Sequence, residues 1–196
     1  MREIALPVDW VQREMYQVEV RYLRDRYLLE KEYGRPLPAL TVELVGTPKG
    51  KGKWGDPALA AVREHFRKDE YTVWVSGSEE NLEDRFILMS YPGLRRKGHP
   101  AYKRMVEIFG EERLKNLNKA AEKAKANLSG NRGGGDPDLF VFKGDGKQER
   151  FFVEAKDKDP VSPKQRICFE LIEKHLDCDV FVARLKYEGQ PANPPR

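Results

Sequence analysis

The chain has 196 residues, 39% hydrophobic and 35% charged, enough apolar material for one core, so one domain, or one domain with a sizeable extension, is expected. A formal charge of +4 rules out binding nucleic acid by sheer excess, so basic residues must cluster to do so. Two cysteines, Cys168 and Cys178, exclude a zinc site or disulfide framework and read as buried thiols. No apolar run nears the roughly 18–20 residues of a membrane span, and no signal-peptide core opens the chain, so an intracellular, cytoplasmic protein without a membrane partner is expected.

Val8 to Tyr33 carries Val11, Met15, Val18, Tyr22 and Leu29 at helical spacing, with mixed charges on its other faces. Gly34 to Pro38 ends that helix, and Thr41 to Val45 reads as a strand. Between Gly46 and Gly55, Lys49, Lys51 and Lys53 alternate with glycines before Trp54, a pattern that can wrap phosphates while the indole stacks on a base. The same pattern also suits a solvated linker. Asp56-Pro57 starts a helix to about Lys68, and Tyr71 to Val75 alternates as a strand.

Glu79 to Tyr91 reads as a further helix with Leu82, Phe86 and Met89 on one face. Glu79 and then Glu83 lie nearest that face, where acidic residues also suit a first helical turn. Tyr91 to Pro100 reads as a loop, where Arg95, Arg96 and Lys97 can clamp a nucleic-acid backbone. Tyr102 to Phe109 and Glu111 to Leu128 are helical, the second with Leu114, Leu117, Ala121, Ala124 and Leu128 inward. Lys115, Lys119 and Lys123 recur every fourth residue on another face, where they can follow DNA or balance the helix dipole. Gly133 to Gly135 allows close backbone approach, and Arg132 beside it can hold the scissile strand.

The chemistry concentrates next. Leu139 to Phe142 and Phe151 to Val153 are short apolar runs separated by a turn with Gly144, Asp145 and Gly146, which predicts a β-hairpin. Asp138 opens the first strand, and Glu154 and Lys156 close the second on one face, because strand side chains repeat every two residues. Carboxylates brought together repel unless a hard cation lies between them, and Mg²⁺ accepts one or two carboxylates plus waters and phosphate. A lysine beside them can orient or deprotonate water or offset charge on phosphorus, which together is equipment for phosphodiester hydrolysis. Ser162-Pro163 then starts a helix carrying Gln165 in its first turn and Ile167, Leu171, Ile172 and Leu176 on its core face. Val180 to Leu185 is a final strand, parallel to the one before the helix, and Gly189 to Arg196 is a tail.

Arg132-Gly-Gly-Gly-Asp-Pro-Asp138, the Phe-Val-Glu154-Ala-Lys156 segment and Ser162-Pro-Lys-Gln165 together resemble the VRR-NUC family. That family is a branch of the PD-(D/E)xK nucleases that includes the nuclease domain of the Fanconi-associated nuclease and small stand-alone viral and bacterial proteins. The resemblance is dense from about Arg132 to Leu185. It implies an α/β, restriction-endonuclease-like mixed sheet flanked by helices, and Mg²⁺- or Mn²⁺-dependent cleavage of branched or flapped DNA, as in DNA repair. On matching positions it makes Asp138, Glu154 and the Ala155 carbonyl metal ligands, Lys156 the catalytic lysine and Gln165 its supporting glutamine; nucleases of this fold often add an acidic ligand from a helix before the hairpin, which nominates Glu79 and then Glu83. Small stand-alone members suggest a homodimer, suited to a two-fold four-way junction. Asp136 stands where relatives carry an apolar or small residue and adds charge beside the metal, and Asp157 replaces a common glycine.

The expected organisation is an N-terminal α/β elaboration over 1–70, a nuclease core over 71–188 and a tail over 189–196. His65, His99 and His175 show no metal spacing, which argues against an HNH centre, and no Walker or Gly-x-Ser-x-Gly motif occurs. A non-catalytic nucleic-acid-binding module, a sequence-specific restriction nuclease and an RNase are the rival readings.

Overall fold

The hairpin is the centre of the sheet. The computed structural model describes residues 1–9, 57–77, 83–126 and 135–188. Within them β4 (Leu139–Phe142) and β5 (Arg150–Lys156) pair antiparallel, Leu139 opposite Val153 and Phe140 opposite Phe152. All of Leu139 to Phe142 is buried, as a strand covered on both faces requires. The turn depends on Gly146, which has φ 73° and would set a Cβ 3.1 Å from the Phe142 ring.

The sheet is completed on both sides of this pair. β2 (Thr72–Ser76) runs antiparallel to β4, and β3 (Arg85–Phe86) lies parallel to β2 at one edge. On the other side β6 (Val180–Glu188) is parallel to β5, and β1 (Arg2–Asp9) is parallel to β6, giving the order β1-β6-β5-β4-β2-β3. Parallel neighbours need a crossover, here the helix running Pro163–Leu176.

Alternation divides the core in two. Phe140, Phe142 and Phe152 face the helices Pro100–Phe109 (α3), Glu111–Ala126 (α4) and Pro163–Leu176 (α5), meeting Met105, Phe109, Leu114, Leu117, Phe169 and Ile172. Phe140 and Phe152 lie 4.8 Å apart between ring centroids, and Phe140 and Phe142 5.1 Å, in the range of favourable aromatic pairs. Leu139, Val141, Val153 and Ala155 face the other way, onto Ala58, Ala61, Val62 and Phe66 of α1 (Pro57–Lys68). The fold is α/β, a mixed six-stranded sheet flanked by helices, as expected. β1 and α1, from the first 70 residues, belong to this same sheet and core.

Several elements depart from expectation. Val8 and Asp9 end a strand rather than begin a helix; Ile4, Leu6 and Val8 carry the period of two that marks it. The expected helix beyond them, the 41–45 strand and the lysine–glycine loop lie outside the described residues. No helix forms over the described part of Glu79 to Tyr91: Glu83 and Asp84 make a turn, β3 follows, and 87–90 is irregular. Phe86 to Met89 are all buried, and such an unbroken run cannot sit on one helix face. Tyr91 to Pro100 holds a five-residue helix, α2 (Pro92–Arg96), within the expected loop. In α5 the buried stripe is Cys168, Phe169, Ile172 and Leu176; Ile167 and Leu171 are only half-buried, because the helix also packs against α4. Both cysteines are buried and free.

Asp136 supplies the physical reason for the irregular 87–90 segment. Its carboxylate accepts the N–H of Leu88 (2.9 Å), Met89 (2.6 Å) and Ser90 (3.0 Å), a nest of successive amides around an anion. Helical geometry would consume those amides internally. Asp136→Ala strands three backbone donors, so urea unfolding is expected to lose about 3 kcal/mol, with faster amide exchange at Leu88 to Ser90. A loss below about 0.5 kcal/mol would show that solvent replaces the carboxylate at no consequence.

Candidate active site

The chemistry sits where β4 begins and β5 ends. One step outward in the β4–β5 register places Asp138 across from Glu154, as the spacing predicts. The Ala155 N–H donates to Asp138 Oδ2 at 3.0 Å, so the Asp138 carboxylate is fixed against the strand that carries Glu154. Glu154 and Lys156 share the face of Phe152, toward α5.

The start of α5 completes the cluster. Ser162 Oγ accepts the Gln165 N–H at 3.2 Å, and Gln165 Oε1 accepts the Ser162 N–H at 3.0 Å, a reciprocal capping box. Fixing Oε1 in this way turns Nε2 outward, and it donates to Glu154 Oε1. A glutamate here could form the box but could not donate. Lys156 Nζ approaches the same Oε1 at 2.8 Å.

Glu154 is the most enclosed charge of the cluster: its side chain is 2% exposed, against 15% for Lys156. Burial pushes the Glu154 carboxyl up, partly countered by Lys156, the Asp138 backbone amide and Gln165. For Lys156, burial pulls down, but Glu154, Asp138 and Asp159 outweigh it and hold the ammonium above its ordinary value. The asymmetry follows from exposure: the carboxylate has little water, while the ammonium keeps some and gains nearby negative charge.

Lys156 and Gln165 converge on Oε1, and Glu154 Oε2 is buried with no hydrogen-bond partner. An ionised oxygen left so is expensive, and a cation is the partner it lacks. With Asp138 alongside, the side-chain donors are all oxygen and suit a hard divalent ion. Among the described residues no three acidic, histidine or cysteine side chains converge.

The remaining predicted residues fall into three groups. Glu79, Arg132, Lys49, Lys51 and Lys53 lie outside the described residues. Glu83 is exposed in the turn before β3, not on a helix facing the cluster. Asp136, expected to add charge beside a metal, has its carboxylate engaged by the amides of 88–90. Arg95, Arg96, Lys115 and Lys119 do converge, lining one cleft between α2 and α4, while Lys123 lies exposed further along α4. Glu111 and Glu122 line the same cleft and pair with Lys115 and Arg95.

The pairing carries a pH signature. Because the folded carboxyl of Glu154 holds its proton more tightly than an unfolded one, its stabilising contribution is full below the ordinary Glu range and is lost as pH rises through the raised pKa. Removing Lys156 enlarges that loss. Lys156→Met is expected to destabilise by about 2 kcal/mol at pH 8, less than a fully enclosed pair because Lys156 reaches solvent, and by much less at pH 4. Equal losses at both pH values in thermal unfolding would disprove the pairing as cause.

A model of the VRR-NUC domain matches residues 79–186, more than half of the chain and all of the cluster. No curated protein matches the sequence. Among solved structures, a crystal structure of paFAN1 bound to 2-nt 5′-flap DNA with a gap is similar at a TM-score of 0.36 and 14% identity. That match covers 91% of this chain and 47% of the other, so the chain spans about half the length of that structure. With Asp138, Glu154, Lys156 and Gln165 assembled inside the matched region, the chain belongs to the VRR-NUC family of nucleases.

Proposed function

We propose that the protein is a Mg²⁺- or Mn²⁺-dependent endonuclease that hydrolyses phosphodiester bonds in branched or flapped DNA. The observation that carries the proposal is the buried, unpartnered Oε2 of Glu154 beside Asp138, with both neighbouring donors committed to Oε1. Held by Asp138, Glu154 and the Ala155 carbonyl, a divalent ion would supply Lewis-acid polarisation of the scissile phosphate and a more acidic attacking water. Lys156 stays cationic at neutral pH because its pKa is raised, which favours stabilising charge on the phosphate over taking a proton from water. Gln165 keeps Glu154 oriented while Oε2 serves the ion. Membership of the family favours DNA of irregular shape, and the cationic cleft between α2 and α4 offers it a backbone contact. A homodimer would present two such centres to a two-fold junction.

The test is cleavage of labelled duplex, single strand, 5′ flap and four-way junction in Mg²⁺, Mn²⁺ or EDTA. Metal-dependent cutting is expected, with a loss of about 10²–10³-fold in Lys156→Ala at unchanged DNA affinity. Lys156→Arg should keep part of the activity, since it preserves the charge but cannot exchange a proton. Cleavage by Lys156→Ala at the wild-type rate would refute the assignment. Metal-independent binding without cutting of any substrate would favour a binding module instead.

A further inference from the structure

One aromatic ring faces solvent beside the active site. Tyr91 is 47% exposed, the only Phe, Tyr or Trp side chain so open among the described residues. Within those residues its ring meets no other ring or cation, and its hydroxyl forms no hydrogen bond.

The backbone beneath the ring is also unusual. Tyr91 has φ 51° and ψ 59°, the left-handed region that bulky side chains rarely occupy. Glu70 and Asp177 share a positive φ, but each follows a helix, where a left-handed residue closes the last turn. Tyr91 instead precedes α2, where a cap residue ordinarily takes an extended backbone. Hydrogen bonds on both sides hold it there. The Ser90 N–H donates to Asp136 at 3.0 Å, Arg95 Nε donates to the Ser90 carbonyl at 3.1 Å, and the Tyr91 carbonyl accepts the Leu94 N–H at 2.9 Å. Pro92 further disfavours right-handed helical geometry at the residue before it. Glycine would fit this backbone without strain, and asparagine nearly so; what tyrosine adds is the ring.

The network that fixes Tyr91 also builds the site. Leu88 and Met89 pack into the core on the face of Phe140 and Phe152, the face that carries Glu154 and Lys156 at the end of β5. The path from Tyr91 through Ser90 and Asp136 bounds its separation from Asp138 at about 20 Å, the reach of a few nucleotides. Arg96 and Lys97 are exposed just beyond it, and no acid occurs from Tyr91 to Val106. Of the acids on the adjoining side of α4, Glu122 pairs with Arg95 (3.4 Å) and Glu111 with Lys115 (2.8 Å).

Resting on the DNA-nuclease reading above, we infer that Tyr91 is a stacking platform for a base at the branch point of the substrate. Inside a continuous duplex each base is covered on both faces by its neighbours. Where a strand leaves the helix one face is uncovered, and an aromatic ring can replace the missing neighbour. Arg96 and Lys97 contact phosphates of any sequence or shape. The ring therefore reads the discontinuity, while the cations supply affinity.

Tyr91→Asn tests this, since asparagine tolerates the left-handed backbone and lacks the ring. Binding of a fluorescein-labelled 5′ flap and of a continuous duplex is read by anisotropy in EDTA, apart from cutting. The wild-type protein is expected to favour the flap. Tyr91→Asn should weaken flap binding about tenfold, leave duplex binding unchanged and melt no lower than wild type. Tyr91→Phe should behave as wild type. Arg96→Ala with Lys97→Ala should weaken both substrates alike and flatten the salt dependence. The platform is refuted, while metal-dependent cleavage stands, if the wild-type protein does not favour the flap or if Tyr91→Asn keeps that preference. It is equally refuted if Tyr91→Asn weakens both substrates alike or melts well below wild type, since the ring then serves packing. If the wild-type protein neither binds nor cuts any DNA, both readings fall.

Discussion

A single buried carboxylate organises the molecule. Glu154 lies on an interior strand, on the face of Phe152 and beside Val182, where an isolated charge would be strongly disfavoured. The chain tolerates it by bringing one donor from two residues ahead on the same strand and another from the first turn of α5. Gln165 links the two levels of structure: its side chain starts the helix and steadies the charge at once. Where α5 begins is therefore not independent of where the acid sits. Because α5 is the crossover between β5 and β6, the parallel half of the sheet is built on the same anchor.

The sheet divides its labour between faces. The side of α1 is aliphatic and carries no charge of the cluster, a plain packing surface of Val, Leu and Ala around Phe66. The other face holds the interlocked phenylalanines and, at the end of β5, Glu154 and Lys156. A stiff aromatic layer behind a charged site limits how far the strands can shift when charge is added or removed, which suits a centre that must keep its geometry during reaction.

Much of this was legible in the residues. Two apolar runs around a Gly-Asp turn specify the hairpin, and Ser162-Pro163 with Gln165 specifies the helix start, because these signals are local and chemically demanding. The parallel placement of β6 follows from chain connectivity. The segment 83–90 was misread because Phe86 and Met89 mimic a helical stripe when taken alone; the amide ligand that decides otherwise, Asp136, lies 46 residues further on from Ser90. The same distance hides the role of Asp136, which in sequence looks like one more acid near a catalytic motif.

Asp-Pro-Asp thus loads two carboxylates of one tripeptide unequally: the first holds three backbone amides, the second accepts one and lies beside Glu154. The distinction bears on how inactive alleles are interpreted. On the proposed function, a change at either aspartate would abolish activity and look alike in a genetic screen for acidic active-site residues. Yet the lesion at 138 frees one amide and should lower protein levels less than the one at 136, which frees three and should feed the unfolded pool for proteolysis. Cellular abundance, rather than phenotype, separates a scaffold residue from a chemical one here.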